Sequence, residues 1–193
     1  MKIKNILIIV LLALAVAEAG YYFYQKQNKA VQPPISKRSV SIGVILPSAK
    51  NQAATAQGIT EGLNLSAKGI NATTQFGIHI DLVYSATETA MATIGFDKKL
   101  TITIGKNIHM IDGGAQPSAV FTKKIRAQYG HDPLPWSAES FDALRVIAVA
   151  LSRIPDSQPI DAAGLQETIS LIKSYTGEAG TIEFDKDGNG HRK

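Results

Sequence analysis

Apolar and polar positions alternate between two periods along this chain. Val40-Ser41-Ile42-Gly43-Val44-Ile45-Leu46 is apolar and β-branched, stops at Pro47, and has the length of a buried strand. From Ala53 to Lys68 the period lengthens. Ala56, Ile59, Leu63, Ala67 and Ile70 recur every three or four residues, which predicts a helix, with Gly58 and Gly62 allowing close packing on a sheet. Ile78 to Tyr84 alternates again, as a second strand. Together these form a strand–helix–strand unit, whose parallel pairing requires a right-handed crossover.

Residues 85–117 show one strand, Leu100 to Ile104, and one turn, Asp112-Gly113-Gly114. Ser118 is placed to cap a helix running through Tyr129 and closing at Gly130, ahead of the loop His131-Asp132-Pro133-Leu134-Pro135. Ser137 is expected to cap the next helix, with Phe141, Leu144, Ile147, Ala148 and Leu151 in one stripe up to Ile154-Pro155. A third helix, Leu165 to Tyr175, precedes Gly177, a short strand Thr181 to Phe184, and a turn-rich end. The fold class is α/β, and there is no internal repeat.

The amino terminus follows a different rule. Lys2 and Lys4 precede the apolar run Ile6 to Ala17, and Ala17-Glu18-Ala19 has the small-x-small form of a signal-peptidase site. Tyr21-Tyr22-Phe23-Tyr24 extends the run and suits a membrane interface. Residues 1–24 are therefore read as a signal peptide cleaved after Ala19, or as an uncut anchor in the inner membrane over residues 3–24. The expected location is periplasmic or extracytoplasmic, although Lys26, Lys29, Lys37 and Arg38 rival Lys2 and Lys4 and leave a cytoplasmic orientation of an anchor open. Residues 25–38, with Pro33-Pro34, form a polar linker, and the folded part, residues 39–193, is expected to begin near Ser39.

Composition narrows the options. The 193 residues, 45% hydrophobic and 19% charged, suffice for one domain or two small lobes. The absence of cysteine excludes disulfide scaffolds, thiolate metal sites and a cysteine nucleophile. Residues 1–38 hold six cations against Glu18, a net of +5 against +4 for the whole chain, which leaves residues 39–193 at −1. A nearly neutral folded part lacks the basic surface that nucleic acid requires, so no nucleic-acid partner is expected.

Few motifs carry chemistry. Asp185-Lys186-Asp187-Gly188-Asn189-Gly190 matches the first half of a calcium loop but has no acidic twelfth position, and reads as a turn. Ser170-Leu171-Ile172-Lys173 fits a Ser-x-x-Lys pattern without the partner motifs of that chemistry, and reads as the polar face of a helix. His79, His109, His131 and His191 lack metal-ligand spacing, and no phosphate-binding glycine loop is present. Neither a cofactor nor a metal nor an enzymatic activity is expected. The loop Pro47 to Gln52 remains: it follows a strand and opens a helix, where backbone N–H groups suit a carboxylate.

Several strings resemble one family. Ile42-Gly43-Val44-Ile45-Leu46-Pro47, Ala53-Ala54, Gln57-Gly58-Ile59-x-x-Gly62, Ile70-Asn71-Ala72 and Ile80-x-Leu82-Val83-Tyr84 are similar to the opening of the type I periplasmic binding proteins, the branched-chain amino acid binding components of ABC importers. Phe121, Tyr129-Gly130-x-Asp132-Pro133, Phe141-Asp142-Ala143 and Gly177-x-x-Gly180-x-Ile182-x-Phe184-Asp185-x-Asp187-Gly188 resemble the end of the same family. The resemblance covers residues 40–87 and 118–188. Members have two α/β lobes that close on a small solute, in chains of roughly twice this length, so it implies a partial fold with a large internal deletion.

The resemblance further implies an extracytoplasmic solute-binding protein for amino acids or related small amides, which hands its ligand to a membrane permease. Its expected ligand-binding residues are Ser48, Lys50, Asn51 and Thr55, with Lys50 against a carboxylate and Ser48 or Thr55 accepting from an ammonium group. Here the loop departs from the family, which commonly shows Leu-Thr-Gly-Pro and Tyr-Gly where this chain has Ser48-Ala49-Lys50-Asn51 and Thr55-Ala56. The alternative is a membrane-tethered structural or interaction domain without a ligand, in which an unpaired sheet edge favours oligomerisation.

Overall fold

In a computed structural model, residues 37–84, 90–114 and 116–193 are described. The expected signal or anchor and nearly all of the polar linker lie outside them. The chain divides into two units, Met1–Ile35 and Ser36–Lys193, and every described residue belongs to the second. Among the described residues no helix is long and apolar enough to cross a membrane.

Among the described residues, eight strands and four helices form this α/β unit: β1 (Arg38–Ile45), α1 (Ala53–Ala72) after a short 3-10 turn (Lys50–Gln52), β2 (Ile78–Val83), β3 (Ala92–Asp97), β4 (Lys99–Ile104), β5 (Asn107–Ile111), α2 (Ala119–Tyr129), α3 (Ser137–Ser152), α4 (Ala162–Ser170), β6 (Ser174–Gly177), β7 (Gly180–Phe184) and β8 (Gly190–Arg192). The strands form one mixed sheet in the order β2-β1-β3-β4-β5-β8-β7-β6. β1 pairs in parallel with both β2 and β3, as the strand–helix–strand reading expects for the first pair. From β3 to β5 the sheet is an antiparallel meander. β8 joins the two halves through a single parallel pair, Ile111 with Gly190.

β2 and β3 flank β1, and Val83 lies opposite Gly43 and Ala92 opposite Ile42, so β3 begins at the level where β2 ends. At Gly43 a Cβ would lie 3.0 Å from Thr93 Oγ1 and 3.2 Å from the Ala90 methyl group.

Among the described residues, helices pack on one face of the five-strand part. Val40, Ile42, Val44, Ile78, Ile80, Ile94, Ile102 and Ile111 point into a core shared with α1, α3 and α4. The alternate residues, by the same registers, form the opposite face, where Ser41, Ile45, Ile108 and Met110 are exposed. Parallel strands are ordinarily covered on both sides.

Helix α1 is amphipathic as its period predicts, but Gly62 faces α3 and Gly58 the loop leading into it, and neither faces the sheet. A Cβ at Gly58 would meet the Pro135 carbonyl at 2.2 Å, and one at Gly62 the Ser137 carbonyl at 2.0 Å. Hydroxyls exploit the approach: Ser66 donates to the Phe141 carbonyl (3.0 Å) and Ser140 to that of Ile59 (3.2 Å). The two segments that carry the family resemblance thus pack directly on each other.

Caps decide the remaining boundaries. Ser118 accepts from Phe121 N (3.0 Å), and Gly130 ends α2 in the left-handed region at φ 81°, both as expected. Ser137 is not a cap. It is the first residue of α3, its hydroxyl donates back to the Leu134 carbonyl (2.8 Å), and the capping position belongs to Trp136 at φ 69°. The third helix starts earlier and stops earlier than its pattern suggests, because Asp161 caps it through Gly164 N (2.8 Å) and β7 captures the chain after it. Phe184 N donates to the Lys173 carbonyl (2.9 Å), which draws Tyr175 into β6.

Candidate ligand-binding site

Sheet polarity collects the connecting loops at one end. β1, β3 and β5 finish there, as does β8, and the segments 46–52, 112–118 and 131–136 lie at the starts of α1, α2 and α3. This is the position where open α/β sheets hold ligands.

Ser48, Lys50 and Asn51 are exposed on the β1–α1 connection, and Thr55 is half-buried in the first turn of α1. Neither the 3-10 turn nor α1 has a side-chain cap. None of the four residues lines the cavity at this end of the sheet. Ser48, Lys50 and Asn51 share a loop, and Thr55 follows it on α1.

The cavity lies one loop away. It has a volume of about 340 Å³ and is lined by Gly114, Gln116, Pro117, the segment Pro133 to Trp136, and Glu139. That volume is at the lower end of small-molecule sites. Glu139 is 5% exposed, accepts from Gly114 N (3.2 Å), and lies 3.5 Å from Arg192 Nη2. Arg192 is itself held by the carbonyls of Asp112 (3.0 Å from Nε) and Ala179.

Trp136 forms the apolar wall. Its indole lies across Gly113, where a Cβ would come within 2.2 Å of the ring, and meets Phe96 edge-on at 5.0 Å. A non-glycine residue at φ 69° is strained, and here packing on both sides of the ring holds it. A carboxylate, an indole and proline walls suit a small solute carrying an ammonium group.

Around the site runs a chain of charges. Lys99 pairs with Asp112 (2.7 Å), Asp112 Oδ2 faces His191 Nδ1 (3.2 Å), and Asp185 Oδ2 faces His191 Nε2 (3.2 Å). Hydrogen bonding to Asp185, then to Asp112, raises the His191 imidazole above its ordinary value. Asp185 is lowered to about 2, first by the Asn189 amide. Both imidazole nitrogens are engaged by different carboxylates, so the trio is a linear chain and not a ligand set. Among the described residues no three His, Asp or Glu side chains converge on a metal position.

The other motifs resolve locally. Asp185 accepts from the amides of Asp187 (2.9 Å) and Asn189 (2.8 Å), closing the tight turn that its spacing suggests. Ser170 donates to the Glu167 carbonyl (2.6 Å), while Lys173 lies beyond the end of α4. His131 faces the buried Glu61 carboxylate at 3.2 Å, and the Asp132 carbonyl raises its imidazole above its ordinary value, with Glu61 adding to the shift. His109 is buried against Gln166 (3.0 Å).

Sequence reasoning pointed to the same end of the sheet and missed Trp136, Gly114 and Glu139. The available signal was the only tryptophan of the chain, standing between a proline-rich loop and a helix start. Compared with models of known families, with curated proteins and with solved structures, the chain has no match.

Proposed function

We propose that this chain is an extracytoplasmic relative of the type I solute-binding proteins, reduced by an internal deletion to a single α/β lobe that binds a small amino-acid-type ligand. The reading rests on one observation. The two segments that resemble the family pack into one body through Gly58, Gly62, Ser66 and Ser140, and leave a cavity of about 340 Å³ at the strand carboxyl ends. In this reading the ligand's ammonium group faces Glu139 and Trp136, Ser48, Lys50, Asn51 and Thr55 form an outer rim, and a membrane permease receives the solute.

A thermal melt of the full chain with a panel of amino acids and small amides tests the reading. Ligand at a hundred times its dissociation constant adds about 2.7 kcal/mol, which should raise the midpoint by roughly 5–10 °C for a domain of this size. The shift should disappear in Trp136→Ala and Glu139→Gln. A cooperative melt that no member of the panel moves rejects it.

One observation favours a second reading, an interaction domain without a ligand. The uncovered sheet face exposes Ile45, Ile108 and Met110, and its parallel strands ordinarily carry a second layer. Self-association with an unresponsive melt would select it.

A further inference from the structure

Arg145 lies on α3 between two aromatic rings. Its guanidinium carbon is 5.2 Å from the centre of the Phe141 ring and 5.6 Å from that of Phe76. The rings interact with its charge but satisfy none of its five N–H donors. Nε is buried without a hydrogen-bond partner, and among the described residues Arg145 has neither a hydrogen bond nor an ion pair. Arg145 is half-buried, and its Nε is the atom that lacks the acceptor its desolvation calls for.

The same side chain lines a cavity of about 310 Å³ with Lys124, Phe141, Tyr175, Thr176 and Glu178, where α2 and α3 meet β6. The acidic groups nearby are already engaged. Glu178 receives Lys124 (2.7 Å) and the Ser118 hydroxyl. Asp142, behind Gly177, accepts the amides of Glu178 (2.9 Å) and Ala179 (2.7 Å). Tyr175, pushed up to about 12 chiefly by burial, keeps its hydroxyl proton at neutral pH. Arg145 is thus a forked donor on a cavity wall whose neighbouring acceptors are committed elsewhere.

We propose that this cavity is a binding site for an oxyanion, a carboxylate or phosphate group, held by the Arg145 guanidinium. A planar fork donates to two oxygens of either group at once, which a lysine at the same place does not reproduce. The site is separate from the cavity at Trp136 and does not depend on the solute-binding reading.

The experiment is an NMR titration of the full chain at constant ionic strength, with inorganic phosphate in one arm and acetate, then glutarate, in the other, the balance being chloride. The readouts are the Arg145 Nε–H signal and the Gly177 amide. Both should shift saturably with a midpoint at or below about 10 mM in at least one arm. Saturation by phosphate alone identifies a phosphoryl ligand, and saturation by the carboxylates alone a carboxylate ligand. The Gly177 response should vanish in Arg145→Met and weaken roughly tenfold in Arg145→Lys. No saturable shift of the wild-type Nε–H in either arm overturns the proposal, as does an unchanged Gly177 midpoint in Arg145→Met. Because the wild-type signal is decisive alone, a variant that fails to fold leaves the test intact.

Discussion

Asp142 is fully buried, and its carboxylate ties the β6–β7 turn to α3 by accepting the amides of Glu178 and Ala179. Removing it leaves two buried donors unpaired, so Asp142→Ala should cost about 1–3 kcal/mol in urea unfolding. Burial is the largest influence on this carboxyl and pushes it up to about 6 from 3.8, against the two hydrogen bonds. The folded state therefore binds the extra proton between these values, and this group's contribution to stability falls as pH rises from about 3.8 to about 6. Urea midpoints at intervals across that window should fall more steeply, or rise less, with pH in the wild type than in Asp142→Asn, the difference being the share of Asp142. His191 acts in the same direction higher on the scale. Its folded value is raised, so its stabilisation is complete below 6.5 and is lost as pH rises through the folded value. A proton NMR titration of its ring should show the raised midpoint, and replacing both Asp112 and Asp185 by Asn should return it towards 6.5.

Packing between elements turns on two glycines of α1. In Gly62→Ala the new methyl would meet the Ser137 carbonyl at 2.0 Å, and backbone on both helices has nowhere to go. The variant should lose about 1–3 kcal/mol from overpacking, more than the gain of up to about 1 kcal/mol in helix propensity. Gly69→Ala is the internal control. Its methyl meets only the flexible end of Arg145, so its melting temperature should equal or exceed that of the wild type.

Elements with two agreeing signals were legible in the sequence. β1 and α1 have clean periods, and α2 has Ser118 at one end and Gly130 at the other. β3 was hidden because Gly95 and Thr93 dilute its apolar pattern, and β5 because Ile108 and Met110 are the exposed half of its alternation. The two-residue connection Gly105-Lys106, with Gly105 at φ 59°, was the usable sign of the β4–β5 hairpin. The site was legible only as a location. Glu139 reads as an ordinary first-turn acid of a helix, and a tryptophan at positive φ leaves no mark in sequence.

On the scale of the whole molecule, helices α1, α3 and α4 line one side of the sheet's core, and among the described residues no helix lines the other. Ile108, 60% exposed on that other side, packs against little. Ile108→Lys should therefore leave the melt within about 0.5 kcal/mol of the wild type, while light scattering should show it less self-associated than the wild type at high concentration. The seam between β5 and β8 has a consequence for how the protein is made. Met110 N finds its acceptor on Asn189, 79 residues further along. At the usual pace of translation those residues take about 4–16 s to emerge. For that interval the hairpin bearing Ile108 and Met110 leaves the ribosome with an open strand edge, and it is then that a chaperone, or a neighbouring nascent chain, has its opportunity.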